Sequence, residues 1–199
     1  MPYTDPAKNL MLDSLDAVGG ILFVSAHTAF PGNTGANEVA GGTYARQSIT
    51  WDAAAVGNLN SANTPIIPIP GTNTVVWIGF FSLVTAGVFH AYSPLNADPK
   101  FYSVVLATEV FTSLAHGFVN DDKVVFYNGV VPGGLVEGTE VFIITATTDT
   151  FQVSLTSGGV AIDITSIGAD TVRVSKVVPE TFGSDGNLTV SDADLNLNL

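Results

Sequence analysis

The stretch HTAFPGNTGANEVAGGTYARQ, residues 27–47, sets one histidine, one glutamate and one arginine among closely spaced glycines. Those side chains could do chemistry: Glu38 as a general base, His27 as a proton carrier, Arg46 as an anion clamp. Glycines this dense occur where backbone amides grip a phosphate and also where strands change direction. The phosphate reading fails its own requirements. Gly35 and Gly41 are not followed by a Lys-Ser/Thr pair, and no G-x-G-x-x-G occurs. A Glu38–His27 base pair needs a substrate cleft that nothing nearby implies. The simpler reading is an ion pair between Glu38 and Arg46 that pins a turn-rich seam.

Other constellations point the same way. His27, His90 and His116 are far apart in sequence and sit in no helical His-x-x-x-His spacing, so no local geometry gathers metal ligands. Asp185, Asp192 and Asp194 lack the spaced oxygen ligands of a calcium loop and read as solvated acids on strand faces. There is no G-x-S-x-G elbow. Asn187-Leu188-Thr189 matches a glycosylation triplet, which is common by chance. With no cysteine there is no disulfide framework, no thiolate nucleophile and no thiolate metal site. No catalytic role, cofactor or metal is expected.

Charge is scarce. Asp, Glu, Lys and Arg make up 12% of residues, about half the usual share, and mean hydropathy is +0.39. From residue 53 to 97 none of the four occurs. Sheet surface of that kind is expected to be buried against other subunits. A net charge of −12 repels nucleic-acid backbones and anionic lipid, so neither is an expected partner. The most apolar run, residues 75–89, is too short to span a bilayer, and the N-terminus does not read as a signal peptide.

The elements that must position the seam are mostly strands, because glycine, proline and β-branched residues alternate through the chain. An N-terminal helix is expected from Thr4 or Asp5, with Pro6 in its first turn, Ala7, Leu10, Met11, Ser14 and Leu15 on one face, and Gly19-Gly20 as its stop. Strands are expected in GILFVSAHT, in TYARQSITWDAAA, and on either side of Thr85-Ala86-Gly87 in residues 75–95. The three prolines of NTPIIPIPGTN suit an edge strand. After Phe101 a regular series follows, VVFY, EVFIIT, TFQVSL and VAIDI, separated by turn signals. The C-terminus returns to alternation, with Leu195, Leu197 and Leu199 on one face.

Two stretches carry a resemblance. HTAFPGNTGANEVAGGTYARQSITW resembles the His-Thr-x-x-Pro-Gly, Thr-Gly-x-Asn-Glu-Val and Gly-Gly-x-Tyr-x-Arg-Gln pattern of small virion proteins of tailed bacteriophages, of the minor tail, tail fibre or capsid-decoration type. The segment LAHGFVNDDKVVFYNGVVPGGLVEGTEVFIITATTDTFQVSLTSGGVAIDITSIG is similar to a β module recurring in phage structural proteins.

The resemblance implies an all-β fold: a jelly-roll-like β-sandwich with a short N-terminal helix (1–100 and 179–199) and an inserted small β domain (101–178). It implies a non-enzymatic virion protein assembled in the bacterial host cytoplasm. The chain would dock as a homo-oligomer, with a trimer as the expected symmetry, on major capsid or tail proteins. The alternative is a module of a tail fibre that binds a glycan or receptor on the host surface, with Tyr127 and Phe142 in contact. His27, Gly32, Glu38, Gly41, Gly42, Tyr44 and Arg46 carry over as structural positions of the seam. Trp51, Ile66, Ile67, Val75, Trp77, Phe80 and Phe81 are expected in the core or an interface.

Overall fold

The computed structural model describes residues 3–17 and 20–196. It is an all-β fold with one short helix, α1 (Asp5–Asp13), near its N-terminus. Seven strands follow in chain order: β1 (Phe23–His27), β2 (Gln47–Ser48), β3 (Asn58–Asn60), β4 (Ile66–Ile69), β5 (Asn73–Val75), β6 (Trp77–Phe81) and β7 (Phe89–Pro94). The chain divides into two compact units, residues 1–93 with 179–199, and residues 94–178.

In the first unit β2, β1, β6 and β7 form one sheet in that order. β1 and β6 run antiparallel from Phe23 opposite Phe81 to His27 opposite Trp77. Their alternation gives two apolar faces rather than one. Ile78 and Phe80 join Val24 and Ala26 on one side, where Trp51 packs on Phe80 and donates its indole N–H to the Ile21 carbonyl at 2.7 Å. On the other side Trp77 and Phe81 meet Phe30, Phe89 and Tyr92. A central pair covered on both faces has no room for ionised side chains, which explains why this part of the sequence lacks them.

Three expectations are corrected here. The helix ends at Asp13 and tightens into a 3-10 turn over Ser14–Asp16, before any glycine; Gly19 lies outside the described residues. Its inward face carries Leu12, which is buried, while Leu10 and Met11 are exposed. The side chains of Asn9 and Asp13 accept backbone N–H groups of Gly57 and Ala54, so polar anchoring sets which face turns inward. The expected strand over TYARQSITWDAAA shrinks to β2 and an isolated bridge from Trp51 to Ser61.

The second unit holds β8 (Ser103–Val105), β9 (Val110–Thr112), β10 (Lys123–Tyr127), β11 (Glu140–Ile144), β12 (Thr150–Ser154) and β13 (Arg173–Lys176). They pair in the order β13-β10-β11-β12-β9-β8. Lys100, just ahead of β8, exchanges two backbone hydrogen bonds with Val174 of β13, at 2.8 and 3.1 Å. One backbone bridge therefore links the two ends of the sheet and shortens its open edges. Phe111, Phe126, Phe151, Ile143, Val153 and Val174 fill the interior. VAIDI is not a strand: β9 takes the edge of β12 at Thr150 and Phe151, and one bond, Ile162 N–H to the Val153 carbonyl at 2.9 Å, remains for that segment. Ile164 still covers the core.

The chain then returns to the first unit as β14 (Glu180–Phe182), β15 (Gly186–Thr189) and β16 (Asp194–Asn196). These pair antiparallel with β5, β4 and β3 in turn. Glu180 faces Val75 and Thr189 faces Ile66 in one continuous register, which slips by one residue before Leu195 meets Leu59. The pairs thus form a single long ribbon with one bulge. Leu197 and Leu199 lie outside the described residues. The return buries Phe182, Leu188, Val190 and Ala193. At about 1.5–3 kcal/mol for each large apolar side chain, that is a sizeable share of a domain's stability of about 5–15 kcal/mol.

Ending the chain after Val178 should therefore unfold the first unit and leave the second folded. Both tryptophans lie in the first unit, so their emission should shift to the red while amide resonances of 94–178 stay dispersed. A truncated chain with native tryptophan emission would contradict this reading.

Candidate functional site

The seam of residues 28–46 is the missing edge partner of β1. β2 pairs with β1 only at Phe23 and Val24. Beyond that point β1 would expose its backbone groups, and the seam satisfies them irregularly. Val39 N–H donates to the Ala26 carbonyl and Thr28 N–H to the Asn37 carbonyl, both at 2.9 Å. Ala26 N–H donates to the Tyr44 hydroxyl at 3.2 Å, so a side chain stands where a strand carbonyl would.

Tyr44 passes the contact on. Its hydroxyl donates to Glu38 Oε1 at 2.7 Å. Arg46 grips the same carboxylate through both oxygens, Nε to Oε1 at 2.8 Å and Nη2 to Oε2 at 2.7 Å. Its Nη1 donates to the carbonyls of Leu83 and Ala86, at 3.0 and 2.6 Å, in the loop between β6 and β7. The guanidinium also lies over the Phe81 ring, 3.3 Å from its centre. One arginine thus joins the seam, the β6–β7 hairpin and the aromatic face. This explains why the segment after Gly42 does not stay in a ladder: its side chains are drawn to Glu38.

His27 is fully buried at the end of β1. Its Nδ1 lies 2.8 Å from the Ala36 carbonyl, which can only accept, so Nδ1 carries the proton and Nε2 accepts from the Ser25 hydroxyl at 2.8 Å. Gly79 faces Ser25 across the ladder. A Cβ on Gly79 would come within 2.5 Å of His27 Nε2 and 2.8 Å of Ser25 Oγ, so the glycine is the notch that admits this polar pair. Gly35 combines a φ of +72° with a direct approach to the Phe81 ring.

The seam glycines singled out in the sequence are turn positions at positive φ. Gly32 and Gly41 adopt positive φ with open space around them, and Gly42 meets only the Pro70 ring. Of the expected core or interface residues, Trp51, Ile67, Val75, Trp77, Phe80 and Phe81 are buried within the chain, and Ile66 is exposed. Sequence reasoning missed Ser25, Gly35 and Gly79. A serine two residues before a histidine on a strand, facing a glycine within an aromatic run, was the available signal.

The electrostatics commit these groups to structure. Burial pushes Glu38 up, but hydrogen bonds from Arg46 and Tyr44 and the guanidinium charge outweigh it and hold the carboxyl below its ordinary range. Burial, with the bond to Glu38, pushes the Tyr44 phenol far up. Burial lowers His27 below its ordinary value, against the opposing pull of the Ala36 bond and Glu38. Glu38 is ionised with both oxygens engaged, and His27 is neutral with both nitrogens engaged. Neither is placed to exchange a proton with an outside substrate. Among the described residues no group of three or more His, Asp or Glu side chains is arranged to hold a metal.

Residues 18–103, which contain the whole seam, match the family model of Podophage GP4 fiber I protein gp80. This match supports a phage tail fibre protein. The matched span is less than half of the chain and ends before most of the second unit. No curated protein and no solved structure matches the chain. The minor tail and capsid-decoration types named by the resemblance gain nothing from the match, which is to a fibre family.

Replacing Arg46 with Lys keeps the charge but loses the two-pronged grip and the hairpin carbonyls. It should destabilise the first unit by about 2 kcal/mol, read as a lower urea midpoint by tryptophan emission; an unchanged midpoint would count against the latch. Acid should act in two steps. A lowered His27 pKa stabilises fully above 6.5, and that contribution is lost as pH falls below it; the Glu38 contribution, present above 4.5, is lost as pH falls further. The melting midpoint should fall on acidification through both windows, and His27→Gln should remove the upper step. A midpoint that rises below pH 6.5 would contradict the assignment.

Proposed function

We propose that the chain is a non-enzymatic structural component of a tail fibre, assembled in the host cytoplasm and docked on the particle as a homo-oligomer, with a trimer as its symmetry. The observation that carries this reading is the β6–β7 hairpin loop. Leu83, Val84 and Val88 stand 53%, 48% and 59% exposed on it, in a stretch with no ionised side chain on either flank. Arg46 clamps the loop's carbonyls from beneath. A rigid, uncharged, apolar tip loses little conformational entropy on docking and gains about 25 cal/mol for each Å² it buries.

A seat on the tail is preferred to capsid decoration because the family matched by the first unit is described as a fibre protein. The alternative, host contact through Tyr127 and Phe142, gains little support: Tyr127 is buried, and burial pushes its phenol up to about 12.

The test is light scattering on the purified chain and on a Leu83→Asp, Val84→Asp variant. The parent should have the mass of an oligomer. The variant should keep the parent's circular dichroism and melt, and fall to the mass of one chain. A monomeric parent, or a variant that assembles as the parent does, would overturn the reading.

A further inference from the structure

The sequence holds a single Asn-Gly pair, Asn128-Gly129. β10 ends at Tyr127, so both residues lie past the ladder, and both are exposed. Asn128 has a φ of +74° and Gly129 a φ of +132°, where a side chain would be strained. Such a pair is reactive, because the glycine nitrogen can attack the side-chain carbonyl carbon of the asparagine with no side chain in its way. A strand suppresses the attack by bonding that N–H to a backbone carbonyl, which cannot take up the proton.

Here the acceptor is an acid. Oε1 of Glu137 accepts the N–H of Gly129 at 3.1 Å and the N–H of Asn128 at 2.9 Å. The Asn128 amide is oriented from its other end, where Nδ2 donates to the Thr171 carbonyl at 3.1 Å. A nucleophilic nitrogen, a carboxylate to take its proton and a held leaving group thus meet within one turn. We propose that Asn128 is a self-modification site, which loses ammonia to form a succinimide with Gly129 while Glu137 acts as the base.

The step balances without a cofactor. The Gly129 nitrogen bonds to Cγ of Asn128 as its proton passes to Glu137. The bond from Cγ to Nδ2 breaks, and Nδ2 leaves as ammonia with the proton that Glu137 returns. Water then opens the ring at either carbonyl and leaves aspartate or isoaspartate at 128. The product undoes the turn that formed it. A donor to the Thr171 carbonyl becomes a carboxylate that only accepts, and a second negative charge enters the turn that Glu137 holds. The start of the loop between β10 and β11, with Val130 and Val136 exposed on it, is thereby released from Thr171. The second unit carries a slow, one-way clock. The inference does not rest on the fibre reading, since residue 128 lies outside the family match.

The test is peptide mapping of the intact chain, stored for weeks at neutral pH and body temperature, with isoaspartate detected by its specific methyltransferase. Conversion should appear first at Asn128, with isoaspartate among the products. Glu137→Gln keeps an acceptor of the same size that takes no proton, so it should preserve the circular dichroism and slow the conversion roughly tenfold. In the converted chain the amide resonances of 128–138 and 171 should move while the rest of the spectrum stays in place. No conversion at 128 in that time, a rate in Glu137→Gln equal to the parent's, or unmoved resonances in the converted chain would each overturn the proposal. Oligomer mass stands apart from every one of these outcomes, so failure here leaves the assembly reading untouched.

Discussion

The first unit depends on one guanidinium. β1 has a regular partner along one edge and only two paired residues along the other, so its far edge must be closed by loop. A loop closes an edge only if something fixes it, and with so few ionised side chains the chain uses a single strong point. Arg46 supplies nearly all the donors of a planar fork to two oxygens of Glu38 and two carbonyls of the neighbouring hairpin. Its guanidinium lies over the Phe81 ring. Screening is weak in such a site, and the geometry is bidentate, the condition under which an ion pair contributes rather than merely decorates.

The buried histidine belongs to the same economy. Ser25 and His27 put two polar groups on a face otherwise made of Trp77, Phe81 and Phe89. Each is satisfied, Ser25 by His27 and His27 by Ala36, and Gly79 removes the one side chain that would force them apart. The second unit meets the edge problem by another route. The chain just ahead of β8 bridges back to β13 through Lys100 and Val174, so backbone rather than a side-chain latch links the two ends of its sheet. The two units are thus built on different solutions to the same requirement, that every buried backbone group find a partner.

Much of this was legible in the chain. The pairing of Glu38 with Arg46 followed from opposite charges set eight residues apart in one turn-rich segment, and the place of Tyr44 in the seam was implied by the resemblance. The strands at GILFVSAHT and on either side of Ala86-Gly87 followed from alternation and turn chemistry, and the prolines of residues 65–70 marked a ribbon strand with a single partner, β15. What was not legible was competition for edges. VAIDI has a strand's composition, but β9 had taken most of the edge it needed. TYARQSITWDAAA has one too, but its polar side chains were claimed by Glu38. The helix face was misjudged because Asn9 and Asp13 anchor to a distant loop, which periodicity cannot register. Chain closure through Lys100 lies in a single bridge and leaves no sequence pattern at all.

The central proposal is that the exposed apolar tip of the first unit, the clamped β6–β7 loop, is kept from water by assembly. The most direct measurement is electron cryomicroscopy of intact particles at a resolution that traces the fibre. The account predicts density for this chain in symmetric copies on the tail, with Leu83, Val84 and Val88 enclosed by a neighbouring subunit. Density that shows the loop projecting into solvent from a solitary copy, or particles that lack the chain altogether, would contradict it.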